Sequence, residues 1–315
     1  MKKASAARAD FVLLAVLALL MTVLPLVAGS NYLLRIAALV WITGLAAVGL
    51  HVVMGLAGQI SLGHAGFFGI GAYASAVLPA RYGIAPPLAA LCGIATSALV
   101  AYLVGKPILR LKGHYLAIAT LGFSLLVGLI LTSEVALTGG PDGIDVRRLQ
   151  VGATAISSPA AWYWISAALL VAGIAVAIAL RERPTGRALR AILDSEVAAA
   201  SMGVDVARRK LQAFVIAAVY AALAGCALAL MNGFVTPDVA GFMTSVEFVA
   251  MVVIGGTTSP FGALVGAALL TLLPQVLATF HDYQDIAVGL IIMLSMIFLR
   301  RGIVPTLRHL VARKS

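Results

Sequence analysis

Residues 33–53 read LLRIAALVWITGLAAVGLHVV, and Arg35 is the only charged residue in this run. An α-helix needs roughly 20 apolar residues to cross about 30 Å of hydrocarbon, and this run meets that length. Similar runs recur from Phe11 to Leu299. The 315 residues are 62% hydrophobic and 11% charged, with a mean hydropathy of +1.06, which lies far outside the composition of soluble domains. The sequence therefore predicts an integral membrane protein.

The apolar runs are continuous rather than alternating, which favours helices over a transmembrane barrel. We predict an all-α, polytopic transmembrane helical bundle of about 8–10 spans, forming one membrane domain over residues 1–315. The predicted spans are residues 11–28, 33–53, 64–80, 86–105, 114–133, 160–180, 211–231, 262–280 and 284–299. The stretch 244–256 is apolar but too short for an ordinary span. Basic residues before residue 11 imitate a secretory signal, but the length of the run favours a first transmembrane helix.

The basic residues predict the orientation. With the N-terminus inside, only Arg35, Arg81, Arg147 and Arg148 of the 22 Lys and Arg residues fall on the outer side. The positive-inside rule predicts this bias for the correct orientation. Both termini, including a basic tail at residues 300–315, are expected in the cytoplasm of a bacterial cell, with the chain in the inner membrane as a multi-pass protein.

The distribution of charge argues against a nucleic-acid-binding protein, and the two cysteines argue against a metal or disulfide site. The net charge of +10 comes from short clusters between spans rather than from a folded basic domain, so no nucleic-acid partner is expected. Cys92 and Cys226 each lie inside an apolar span, and two such residues build no metal or disulfide site. We interpret both as packing residues and predict no metal.

Two glycine-rich stretches interrupt the predicted spans and are expected to be broken or re-entrant helices. Non-helical backbone at membrane depth is tolerated only against protein or a water-filled cavity, so these stretches are candidates for a translocation pathway. The candidate pathway residues are Gly58, Gln59, Ser61, Gly63, His64, Glu247, Gly255 and Gly256. Close helix packing through Gly262 and Gly266 explains the second stretch equally well. His64 fits a hydrogen-bonded helix terminus, and Glu247 fits the outer interface.

Two long polar segments are expected to carry contacts with partners. The outer loop, residues 134–159, contains a run of turn formers, Thr138, Gly139, Gly140, Pro141, Asp142 and Gly143. In the inner loop, residues 181–210, the second half predicts a short helix with Asp194 or Ser195 as its cap, Glu196 in its first turn and Gly203 as its stop. So short a helix needs a partner surface, either a protein or anionic lipid.

The inner loop resembles the coupling loop of ABC importer permeases, whose Glu-Ala-Ala-x-x-x-Gly pattern docks on the ATP-hydrolysing subunit. Ala198, Ala199 and Gly203 match the pattern, whereas Val197 stands where the pattern has Glu and Glu196 is displaced by one. The stretches GLAGQISLGHAGFFGIGAY (55–73), GHYLAIATLGF (113–123) and LTGGPDGI (137–144) resemble the LivM-type permeases of branched-chain amino-acid ABC importers. With residues 186–205 and the Gly255-Gly256 region, the resemblance runs from about residue 33 to 302.

This resemblance implies a non-enzymatic permease subunit that translocates branched-chain or related amino acids by alternating access. It implies four kinds of partner: a second homologous permease, two cytoplasmic ABC ATPases, a periplasmic substrate-binding protein and the lipid bilayer. The implied ATPase-coupling residues are Gly186, Arg187, Asp194, Ser195, Glu196, Ala198, Ala199 and Gly203. Residues 138–143 would contact the binding protein. The sequence has no Gly-x-x-x-x-Gly-Lys-Ser/Thr loop, so ATP and Mg are expected on the ATPase subunits and no cofactor on this chain.

Two rival functions remain open at this point. A secondary amino-acid or small-solute transporter without an ATPase would share the broken helices, but it would have no need of a docking helix. An intramembrane enzyme could use Ser61 and His64, but the surrounding sequence is not a Gly-x-Ser-x-Gly elbow.

Overall fold

The structure is a computed structural model that describes residues 2–27, 29–151 and 154–276, together with residues 289, 290, 293, 302–304 and 306. Most of the predicted span 284–299 and most of the tail 300–315 lie outside the described residues. The helices are α1 (Lys2–Val27), α2 (Asn31–Ala57), α3 (His64–Tyr82), α4 (Pro86–Ile108), α5 (His114–Ser133), α6 (Val135–Thr138), α7 (Pro159–Glu182), α8 (Pro184–Asp194), α9 (Glu196–Ser201), α10 (Val206–Asn232), α11 (Phe242–Gly255) and α12 (Pro260–Val276).

Local sequence signals set the helix boundaries. Pro86, Pro159 and Pro184 each occupy the first turn of a helix, where the missing N–H costs nothing. The Ser158 hydroxyl accepts a hydrogen bond from the backbone N–H of Ala161 at 3.1 Å, which caps α7. Gly58, Gly83 and Gly233 end α2, α3 and α10 in the left-handed conformation. The spans therefore start and stop at capping residues and breakers.

The centre of the bundle is formed by α2 and α10, with α3, α7 and α12 packed around them. Tyr220 of α10 lies against Gly49 of α2, and its hydroxyl donates to the Gly173 carbonyl of α7 at 2.7 Å. Gly71 of α3 lies directly against the backbone of Ala222. Small residues at these crossings let the helix backbones approach closely.

Five of the described helices, α2, α4, α5, α7 and α10, are long and apolar enough to cross a membrane. The shorter apolar helices α11, α12 and the 10–26 part of α1 join them, and α3 packs among them. The predicted fold class, a polytopic helical membrane bundle, is confirmed. The stretch 244–256 is the helix α11 of 14 residues. The orientation of the termini stays a prediction.

Short strand pairs order the loops at the outer end. Strand β1 (Ile144–Asp145) pairs antiparallel with β4 (Phe234–Val235), and β2 (Gln150–Val151) pairs with β3 (Thr154–Ala155). The β1–β4 pair ties the loop after α6 to the connection between α10 and α11. The first helix is tied to α7, because the Tyr163 hydroxyl donates to the Met21 carbonyl and Arg181 pairs with Asp10 at 3.0 Å.

Candidate functional site: two helix breaks beside the inner loop

The first break, residues 58–63, separates α2 from α3. Gly58 ends α2 with φ 66°, a left-handed conformation that favours glycine. The backbone N–H of Leu62 donates to the Thr120 hydroxyl of α5 at 3.0 Å, and Gly63 packs against the carbonyl of the same threonine. A Cβ on Gly63 would lie 2.7 Å from that carbonyl oxygen, so the residue has no space for a side chain. The break is thus held against α5.

His64 places the start of α3 inside the bundle. Its Nε2–H donates to the Ala46 carbonyl of α2 at 2.8 Å, and its ring meets Phe248 edge-on with 5.6 Å between centroids. Ala46 lies 11 residues before the end of α2, which corresponds to about 16 Å along a helix. The chain therefore doubles back beside α2 before α3 begins. The proton on Nε2 is engaged by a backbone carbonyl, so His64 has the contact expected of a hydrogen-bonded helix terminus.

Several buried polar groups without protein partners among the described residues lie at or beside the breaks. The Gln59 side chain is 4% exposed, and neither its amide oxygen nor its amide nitrogen has a hydrogen-bond partner among the described residues. The same holds for Nδ1 of His51 and the hydroxyl of Ser259, both buried. A buried polar group without a partner is costly and marks a place for solvent or solute. Ser61 is buried, and its hydroxyl lies 3.5 Å from the Gly63 nitrogen.

The second break, residues 256–259, separates α11 from α12. Gly256 has φ 107° and ψ 129°, a conformation that is open only to glycine. Glycine backbones on both sides pack directly on each other: Gly255 meets the Gly262 carbonyl, and Gly266 meets the Met251 carbonyl. This is the close helix packing through small residues that the sequence analysis gave as the alternative to a translocation pathway.

The second break touches the end of α2, the helix that leads into the first break. Gly55, in the last turn of α2, lies against the Thr257 carbonyl of the second break and the imidazole of His51. Glu247 is not part of this contact, since it is exposed on α11 nine residues before Gly256. Of the candidate pathway residues, Gly255 and Gly256 directly precede the residue that meets the end of α2, Gly58 directly follows that helix, and Glu247 lies apart.

The inner loop forms two helices joined at Ser195, whereas the sequence indicated a helix only in its second half. Asp194 is the last residue of α8, and the Ser195 hydroxyl caps α9 by accepting from the Ala198 N–H at 3.3 Å. Glu196 forms an ion pair with Lys210 of α10, and Ala199 is buried. Gly203 follows α9 with φ 81°. The α8–α9 segment is thus fixed to the base of α10.

Leu193 joins the α8–α9 segment to the first break. A Cβ on Gly58 would lie 2.7 Å from Cδ1 of Leu193, so the leucine side chain covers the end of α2. Gly186 is buried against the backbone of Leu180 and Arg181, while Arg187 is exposed. The sequence analysis did not single out Leu193 or His51. An apolar pair, Ile192-Leu193, in a polar loop and a histidine inside a span were the available signals.

The turn at residues 138–143 is a compact part of the outer surface. The Thr138 hydroxyl donates to backbone carbonyls of Leu131 and Glu134 at 2.7 and 2.8 Å. Gly139, Gly140 and Gly143 all have positive φ, and Gly143 packs against the Val235 carbonyl. Pro141 and Asp142 are exposed. The glycines and Thr138 shape the turn, and its exposed tip is free for the predicted contact with a binding protein.

Comparison with known proteins assigns the chain to a family. A family model described as the permease component of branched-chain amino acid transport systems matches residues 32–299. The high-affinity branched-chain amino acid transport system permease protein LivM of Salmonella typhimurium is 34% identical over 296 residues, covering 85% of this chain and 69% of that protein. LivM of Escherichia coli is 34% identical over 303 residues, covering 87% and 70%.

LivH of Escherichia coli, also named a high-affinity branched-chain amino acid transport system permease protein, is 26% identical over 283 residues, covering 82% of this chain and 90% of LivH. No solved structure matches the chain. The predicted resemblance and the predicted class, a membrane transport subunit, are confirmed. The chain belongs to the permease component family of branched-chain amino acid transport systems and is a multi-pass protein of the inner membrane.

Proposed function

We propose that this chain is the non-enzymatic permease subunit of an ATP-driven importer of branched-chain amino acids and that it works by alternating access. Cytoplasmic ATPase subunits dock on the α8–α9 segment. ATP and Mg are bound by those subunits, and this chain binds no cofactor. The substrate class follows from the names of the LivM and LivH relatives.

The observation that carries the docking role is a pair of exposed apolar side chains on α9. Val197 is 80% exposed and Met202, directly after the helix, is 85% exposed. Both lie in a polar loop flanked by basic residues. A six-residue helix is marginal by itself, so it gains stability from a partner that covers these side chains. Large apolar groups surrounded by polar residues are typical of a protein interaction site.

The contact between Leu193 and Gly58 supports a route from the docking site to the pathway. Leu193 lies at the end of α8, and Gly58 begins the first break. Any movement of α8 that follows the docked subunit therefore reaches the backbone at which α2 ends. The ion pair between Glu196 and Lys210 carries the same movement to α10.

The remaining partners fit the surfaces left exposed by the bundle. In the most apolar windows of α4 and α5 only 28% and 22% of the residues are buried, against 78% for α2. These faces serve lipid and a second, homologous permease. The exposed tip at Pro141 and Asp142 serves the substrate-binding protein. The low burial of α4 and α5 supports these assignments, because the two helices are about as apolar as α2 and yet their apolar faces are not covered by the rest of the bundle.

Copurification tests the docking role. We compare Val197→Asp with Val135→Asp, a matched substitution of an exposed valine at the opposite end of the bundle. The tagged chain is solubilised from its native host, and copurifying proteins are identified by mass spectrometry. Val197→Asp should lose P-loop ATPase subunits while keeping a second permease, and Val135→Asp should keep both.

Uptake of labelled leucine, isoleucine and valine by proteoliposomes, with ATP inside and the binding protein outside, then tests the substrate class. Retention of the ATPase by Val197→Asp would refute docking on α9. If the purified chain moves solute without an ATPase, the protein is a secondary transporter. Ser61→Ala should keep transport, since the Nε2 proton of His64 is donated to Ala46.

A further inference from the structure

A groove of about 970 Å³ runs along the inner end of the bundle, where α4, α7 and α10 meet. It is separate from both helix breaks. Its apolar lining comes from all three helices, as at Gly105, Leu180 and Leu211, and its basic lining lies at or near their ends, as at Lys106, Arg110 and Arg208.

The groove has a closed apolar floor. Gly105 of α4 is buried, and a Cβ there would lie 2.8 Å from Cδ1 of Leu211 and 3.0 Å from Phe214. From this contact the apolar side chains of Leu180 and Val215 continue along the helices toward the middle of the bundle. The far part of the groove is therefore suited to a hydrocarbon chain.

The mouth of the groove is basic. Lys106, Arg110 and Arg208 are exposed, and the Lys106 ammonium lies 4.2 Å above the ring of Tyr102. Ion pairs among the described residues are Arg181 with Asp10 and Lys210 with Glu196, so none of these cations has a carboxylate within 4.0 Å there. The one acid of the lining, Asp205, accepts the Arg208 backbone N–H at 3.0 Å as the cap of α10.

Arg209 fixes the wall beside the mouth. Its guanidinium donates to the Thr185 hydroxyl at 3.1 Å and to the Gln212 side chain at 3.0 Å. These bonds join the start of α8 to α10. The mouth thus keeps its shape while Lys106, Arg110 and Arg208 remain available.

We propose that this groove binds an anionic phospholipid from the membrane. The headgroup phosphate lies among Lys106, Arg110 and Arg208, and an acyl chain lies along Leu180, Leu211 and Val215. Basic pockets between transmembrane helices on the cytoplasmic side are suited to anionic headgroups. A soluble phosphate would use the cations and leave the apolar lining exposed, which favours a lipid.

Lipid titration tests this proposal on the full-length chain in a neutral detergent. Native mass spectrometry measures retention of phosphatidylglycerol and phosphatidylcholine. We expect the unmodified chain to retain phosphatidylglycerol and to lose phosphatidylcholine. The triple variant Lys106→Gln, Arg110→Gln, Arg208→Gln should bind phosphatidylglycerol at least ten-fold more weakly. The control Arg81→Gln, Arg147→Gln, Arg148→Gln removes equal charge from exposed sites elsewhere and should bind normally.

A second variant keeps every charge and fills the groove. Ala207→Trp, at an exposed position of the lining, should also weaken phosphatidylglycerol binding, because the indole occupies the space of the acyl chain. An equal loss of phosphatidylglycerol binding in both triple variants would show unspecific electrostatic attraction and overturn the proposal. Unchanged binding by the triple variant at Lys106, Arg110 and Arg208 would overturn it as well. Displacement of the lipid by equimolar inorganic phosphate would show an anion site without a lipid. If a copurifying subunit protects Lys106 from acylation and the lipid does not, the occupant is a protein.

Discussion

The two helix breaks resemble each other in sequence but differ in how they are held. The break at 256–259 lies between helices whose glycine backbones touch, at Gly255 against Gly262 and at Gly266 against Met251. The break at 58–63 is longer, contains the buried side-chain amide of Gln59, which has no hydrogen-bond partner among the described residues, and contacts the Leu193 side chain of the inner loop. Backbone contacts cannot adjust to a change of position, whereas a leucine side chain can. The second break is therefore a fixed joint, and in the first break the Gly58 end is the part suited to move, whereas the Gly63 end is held against α5.

The largest expected effect tests the fixed joint. In Gly255→Leu the new side chain meets the backbone of α12, which cannot yield, so overpacking should cost at least about 3 kcal/mol. We expect loss of the folded protein, measured by size-exclusion chromatography of a fluorescent fusion. Gly122→Leu is the control, because Gly122 of α5 has nothing within 4 Å of its added Cβ. A stable Gly255→Leu protein would contradict the direct backbone contact.

The next effect concerns transport rather than folding. Gly58→Leu displaces Leu193 and should reduce uptake at least about ten-fold, while the left-handed backbone costs only about 1–2 kcal/mol of stability. Gly83→Leu is a matched control, since Gly83 has the same φ of 66° and nothing within 4 Å. Uptake and folded yield are measured for both. Equal uptake by the two variants would show that backbone strain, rather than the contact with α8, causes the loss.

A smaller effect is expected from the other side of the same contact. Leu193→Ala leaves the backbone unstrained and shortens the side chain that covers Gly58, so ATP hydrolysis should continue while uptake falls about two- to five-fold, equivalent to roughly 0.4–1 kcal/mol. Leu111→Ala, a similarly exposed leucine next to α4, is the control. The ratio of solute moved to ATP hydrolysed is the measurement. An unchanged ratio would show that Leu193 does not transmit movement of α8 to the first break.

The smallest effect on stability is expected at Gln59. Gln59→Met keeps the length of the side chain and removes an amide without a partner, so stability should stay within about 1 kcal/mol or rise. Thermal unfolding of the purified chain gives the change, and uptake assays show whether the amide serves the solute. A clear fall in the unfolding temperature would mean that the amide is bonded, which would make the first break as fixed as the second.

The sequence predicted the apolar helices and the positions of both breaks because glycine, proline and polar residues mark them locally, but it did not predict α8. The start of α3 at His64 and the end of α11 at Gly255 agree with that pattern. The contact of Gly55 with Thr257 and that of Leu193 with Gly58 could not be predicted, since each joins residues that are far apart in the chain. The burial of each helix could not be predicted from the sequence either, because α2 and α5 are similarly apolar and differ only in the helices that surround them. The roles of all the candidate pathway and coupling residues and of residues 138–143 stay predictions.

Helix α3 begins beside the middle of α2, and this starting point affects how the bundle keeps the membrane impermeable to ions. The part of α2 from Ala46 to its end is about 16 Å long, roughly half of the hydrocarbon thickness. Beside this part of α2, residues 58–63 run as a non-helical segment, and α3 is absent there because it begins only at His64. On this side of α2, the break itself lies against Thr120 of α5 and against Leu193 of α8. If ATPase subunits dock on the α8–α9 segment as proposed, that segment also covers the break, and we expect a loosened inner loop to show itself as ion conductance before it shows as lost uptake.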